Sequence, residues 1–137
     1  GGFPEGIGSG EDLLTWARLA VRYPLAYDAR PLAAFVVSGI ERRPDPADRV
    51  GKALVQLARE HPGVPGLRRY GGLWYRMQAV MAMRFDEAAQ ARQWAWLAVR
   101  YGPCQIRNLY VLFLSLMPMK TQGLVDLSIR KLLNTRK

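Results

Sequence analysis

Glu11 and Asp12 stand side by side where a glycine-rich stretch, GGFPEGIGSG, gives way to an apolar run, DLLTWARLAVRY. Acidic residues suit the first turn of a helix, where the dipole is positive, so on position alone the pair reads as a helix start. The same residues have a chemical use. An ionised carboxylate can take the proton of a hydroxyl as that hydroxyl attacks an electrophile. Adjacent helical residues point in different directions, so only one of the two can face a given ligand. The glycines ahead of them let bare backbone approach a ligand closely, and Gly1-Gly2-Phe3 offers a second such turn. Trp16 lies four residues after Asp12, on the same side of a helix. It suits a core position better than a platform for stacking a sugar.

Other chemistries find little support. One histidine, His61, and one cysteine, Cys104, make neither a Cys/His metal site nor an internal disulfide. Asp45 and Asp48 in PDPAD are too widely spaced for an Asp-x-Asp metal motif. Half of the 137 residues are apolar, enough to fold around a core. The longest apolar run, Leu109 to Met119, is interrupted by Ser115 and Pro118 and is too short to span a bilayer.

The elements that must position these residues follow from periodicity and breakers. Ser9 or Gly10 precedes a helix that ends near Tyr23, because Pro24 disfavours a helical residue before it. Leu13, Trp16, Leu19 and Ala20 supply its apolar face. PLAY and PLAAFVV, from Pro24 and from Pro31, read as two short strands. After a turn-rich linker, Asp45-Pro46 and Asp48 start a second helix, with Val50, Ala53, Leu54, Leu57 and Ala58 on one face. Further helices are expected over about Leu67–Met83, weakened at Gly71-Gly72, and over about Phe85–Tyr101, Gln105–Met117 and Gln122–Asn134. Ala88, Ala91, Ala95 and Ala98 place small residues along one face, as in the second helix of a tetratricopeptide-type hairpin. LAVRY occurs at Leu19–Tyr23 and at Leu97–Tyr101, each time before a proline or a Gly-Pro pair; these are two similar helix endings, not a duplication.

Charge divides the chain. Residues 1–60 hold 8 basic and 8 acidic side chains, whereas residues 61–137 hold 12 basic and 3 acidic, so the whole net charge of +9 lies in the second half. Such a half suits an anionic partner or a solvated arginine-rich surface. Its cations are spread through apolar helices with no helix-turn-helix or zinc spacing, which argues against nucleic acid. Trp74, Tyr75, Trp94 and Trp96 fit either a packed bundle or helices lying on a membrane surface.

GGFPEG…GEDLLTWARLAVRYPLAYDARPLAAF, about residues 1–38, resembles the closing segment of family 2 glycosyltransferases, inverting enzymes of the GT-A fold. Gly1, Gly2 and Phe3, the Glu11-Asp12 pair, Trp16 and Arg18, and Pro31, Leu32 and Ala33 carry the likeness. It implies that Asp12 is the general base that deprotonates an acceptor hydroxyl, with Glu11 in support and Gly1, Gly2, Phe3 and Trp16 around the acceptor. The substrates implied are a nucleotide-sugar donor and a sugar or lipid-linked acceptor, in cell-surface polysaccharide or glycoconjugate synthesis. The expected location is the cytoplasm, with peripheral contact at the inner face of the membrane through the basic helical half.

The family's nucleotide-binding half, with its Asp-x-Asp motif for a divalent Mg or Mn ion, has no counterpart here, and Val36 and Val37 stand where an Arg or His is expected. The expected architecture is therefore mainly α with a small β element. Residues 1–40 would be the acceptor-side end of a GT-A domain and residues 41–137 a helical extension. Such a portion would bind no metal and be inactive without its donor half. The alternative is a non-enzymatic helical adaptor for a protein partner.

Overall fold

A computed structural model describes residues 4–7, 9–24, 26, 30, 43–103 and 105–118. Among the described residues the protein is mainly α: five helices, α1 (Glu11–Arg22), α2 (Arg49–Glu60), α3 (Leu67–Arg84), α4 (Ala88–Tyr101) and α5 (Ile106–Leu116), and no strand. Pro24 and Ala26 belong to no regular element. The rest of the two expected strands, the closing helix and the junction near residue 40 lie outside the described residues. The chain divides into two compact units, Gly1–Leu67 and Arg68–Lys137.

In the first unit α1 packs on α2. Leu14 and Ala17 of α1 and Val50, Leu54 and Val55 of α2 are buried. A buried leucine or valine contributes roughly 1.5–3 kcal/mol relative to an exposed one. The buried face of α1 is not the one expected. Leu13 is half-buried, while Trp16, Leu19 and Ala20 are exposed. The helix is apolar over more than one face, so periodicity alone does not choose between them; α2 chooses, by offering its own face to Leu14 and Ala17.

Local chemistry sets the start of α2. Asp45 Oδ1 accepts the backbone N–H of Ala47 at 3.0 Å, holding a turn. Lys52 Nζ donates to the Ala47 carbonyl at 2.7 Å. Asp48 is left-handed at φ 49°, so the helix begins only at Arg49.

In the second unit α3 and α4 are joined by Phe85, Asp86 and Glu87. Asp86 takes φ 59°, which interrupts the chain and delays α4 from the expected start at Phe85 to Ala88. Ala91, Ala95 and Ala98 are fully buried, and α3 comes so close that a Cβ on Gly72 would lie 2.8 Å from the Gly102 nitrogen and 3.1 Å from the Ala98 oxygen. Tyr75 and Tyr101 stack with ring centroids 5.7 Å apart. Trp74, Tyr75 and Trp94 are buried, whereas Trp96 is exposed beneath the Arg100 guanidinium, 5.2 Å from the ring centroid. Both LAVRY segments end helices: the N–H of Tyr23 bonds to the Leu19 carbonyl at 2.8 Å, and that of Gly102 to the Ala98 carbonyl at 2.9 Å.

Candidate functional site

The carboxylate pair opens α1. Gly10 precedes it at φ 83°, a backbone conformation that favours glycine, and no side chain caps the helix. The first helical bond runs from the Leu14 N–H to the Gly10 carbonyl at 3.1 Å. Asp12 is exposed, and its Oδ1 accepts the N–H of Leu13 at 2.8 Å, occupying a donor that the helix itself leaves unpaired. Thr15 Oγ1 donates to the Glu11 carbonyl at 2.8 Å.

Glu11 differs from its neighbour. Its side chain is half-buried, and its Oε2 is buried with no hydrogen-bond partner. An acceptor withdrawn from water and left unpaired costs free energy unless a donor reaches it. The pair thus divides into one exposed carboxylate, braced by backbone, and one sheltered oxygen that lacks a donor.

The surroundings are partly fixed. Arg49 Nη1, from the start of α2, donates to the Gly6 carbonyl and ties the glycine-rich segment to that helix. Gly6 itself is left-handed at φ 74°. Trp16 is 56% exposed and lines up with exposed Leu19 and Tyr23 along α1. It is therefore a surface residue and not the core residue that its spacing suggests. Gly1, Gly2 and Phe3 lie outside the described residues.

Among the described residues no group of three or more His, Cys, Asp or Glu side chains could hold a metal ion. No helix among the described residues is long and apolar enough to cross a membrane.

A second polar centre lies in the Arg68–Lys137 unit. Asn108, in the first turn of α5, is fully buried. Its Nδ2 donates to the Ala98 carbonyl at 2.8 Å and to the Gly102 carbonyl at 3.0 Å. Its Oδ1 accepts from Arg76 Nη1 at 3.3 Å, and the same nitrogen reaches Gln105 Oε1 at 3.2 Å. Burial holds the Arg76 guanidinium below its ordinary pKa, and the charges of Arg107 and Arg69 act in the same direction. The available clue was an asparagine at the head of the largely apolar run NLYVLFLSL.

No family model, no curated protein and no solved structure matches the chain.

Proposed function

We propose that the chain is the acceptor-side portion of an inverting, nucleotide-sugar-dependent glycosyltransferase. The observation that carries this reading is the division of labour at the start of α1: Asp12 exposed and braced, Glu11 presenting a buried oxygen without a donor. Asp12 takes the acceptor hydroxyl's proton. The hydroxyl oxygen forms the new bond to the anomeric carbon from the face opposite the leaving group. The bond to the nucleotide diphosphate breaks, and its electron pair leaves with that diphosphate. Glu11 accepts a hydrogen bond from the acceptor or from the glycine-rich segment, which satisfies its orphaned oxygen.

The exposed stripe of Trp16, Leu19 and Tyr23 supports the same reading, since it is a face that a donor-binding half would cover. On this reading, residues 1–137 need that donor-binding half for transfer. The reading is tested by supplying a nucleotide sugar to the protein joined to its donor-binding half and determining the product's anomeric configuration by NMR. Inversion is expected. Retention, or no transfer to any hydroxyl acceptor, would overturn it.

The second unit supports peripheral membrane contact alongside this chemistry. Ile106, Leu109, Phe113 and Leu116 are exposed at spacings that align them on α5. They belong to the half of the chain with 12 basic and 3 acidic side chains. An apolar helical face in a cationic setting suits an anionic lipid surface.

A further inference from the structure

Where Arg76 of α3 meets the start of α5, two more arginines, Arg69 and Arg107, lie close enough for their charges to act on it. Arg69 and Arg76 lie seven residues apart on α3, two turns along one face. Arg76 reaches Gln105, just before α5, and Asn108, in its first turn. Arg107 sits in that turn, between them. Arg76 is half-buried, and Arg69 and Arg107 are exposed.

α3, α4 and α5 contain no aspartate or glutamate at all. Asp86 and Glu87 follow the far end of α3, ten or more residues beyond Arg76, which is about 15 Å at the helical rise. Nearby cations have other contacts: Arg68 Nη2 donates to the Arg100 carbonyl at 3.0 Å, and Arg100 lies over Trp96. Arg76 uses a single nitrogen, Nη1, for both Gln105 and Asn108, so the rest of its guanidinium is not spent on them. Like charges held together in a partly desolvated place repel one another, and an anion at their centre relieves that repulsion. The start of α5 adds the positive end of a helix that no side chain caps.

We propose that Arg69, Arg76 and Arg107 form a binding site for a phosphate or diphosphate group. Guanidinium groups present paired N–H donors that match phosphate oxygens, and a diphosphate spans more of the cluster than a single phosphate does. Arg76, fixed by Gln105 and Asn108, is the anchor, and the two exposed arginines close on the ligand from either side. This site belongs to the Arg68–Lys137 unit and does not depend on the glycosyl-transfer reading.

The test uses the 137-residue chain at low ionic strength, with two probes. Inorganic diphosphate is titrated by calorimetry. Vesicles of phosphatidylcholine, with and without phosphatidic acid, are sedimented with the protein. Saturable one-to-one binding of diphosphate is expected, weakened about tenfold by Arg107→Gln and again by Arg69→Gln. Both positions are exposed, so folding is retained. Arg92→Gln, at an exposed arginine on α4 outside the cluster, should leave the affinity within about twofold. Binding only to the phosphatidic acid vesicles, with the same response to the three variants, also supports the site and assigns its ligand to a lipid headgroup. Absence of both interactions overturns the proposal. So does an equal loss with Arg92→Gln, which would reduce the effect to general charge.

Discussion

The side-chain amide of Asn108 donates to the carbonyl oxygen of Ala98 at 2.8 Å, so a residue of α5 completes the end of α4. The Ala98 carbonyl also accepts the Gly102 N–H at 2.9 Å, so the amide is its second donor and ties α5 to the end of α4. Asn108 also reaches the Gly102 carbonyl at 3.0 Å, and this approach needs Gly102 to be bare: a Cβ there would lie 2.7 Å from the amide nitrogen. Asn108→Ala should cost about 1–2 kcal/mol in urea unfolding, because it removes two buried hydrogen bonds, although both carbonyls keep a backbone donor. Asn108→Asp should cost at least as much, since it turns an acceptor toward acceptors. A loss below about 0.5 kcal/mol in both variants would show that the bonds contribute nothing net.

Gly71 and Gly72 are adjacent in α3 yet should respond oppositely to alanine. Nothing lies within 4 Å of a Cβ on Gly71, so Gly71→Ala gains the helix preference of alanine, about 0.5–1 kcal/mol. A Cβ on Gly72 would press on the backbone of Ala98 and Gly102, so Gly72→Ala must push α3 from α4 and should lose about 1–3 kcal/mol. Thermal melts of the two variants decide this by the sign of the shift. Shifts of the same sign would contradict the close approach of the helices.

The four tryptophans divide into buried and open pairs. Trp74 and Trp94 are buried, whereas Trp16 is 56% exposed and Trp96 is 51% exposed. Iodide should quench only part of the emission, and Trp16→Phe with Trp96→Phe should remove most of the quenchable part. Unchanged quenching in that double variant would mean that the open faces lie elsewhere.

Phe113→Glu places a charge in the exposed apolar face of α5 without disturbing the core. If that face meets lipid, the variant should lose binding to phosphatidylserine vesicles while its melting temperature stays within a few degrees. Retained vesicle binding would remove α5 from the contact.

The sequence marks features that depend on neighbours along the chain and misses those that depend on neighbours in space. Both LAVRY endings, with their proline or Gly-Pro stops, are legible because termination is local. The buried alanines of α4 are legible because their spacing is regular. The face of α1 is not: Leu13, Leu14, Trp16 and Ala17 are all apolar, and only α2 determines that Leu14 and Ala17 turn inward. The start of α4 moves because of one backbone angle at Asp86. Asn108 is invisible as a cap because its partners, six and ten residues away, belong to another helix and its C-cap. At the candidate site, the placement of Glu11 and Asp12 in the first turn is readable from the glycine-to-helix transition. The unequal burial of their side chains is not.

The central claim rests on the two carboxylates of α1 having different tasks. The direct measurement is turnover of the protein joined to its donor-binding half, as wild type, Glu11→Gln and Asp12→Asn, with nucleotide-sugar affinity determined in parallel. The account predicts that Asp12→Asn lowers turnover by about 10²–10⁴-fold while donor affinity is unchanged, and that Glu11→Gln chiefly weakens acceptor use. Near-normal turnover in Asp12→Asn would contradict it and leave the pair as the start of a helix.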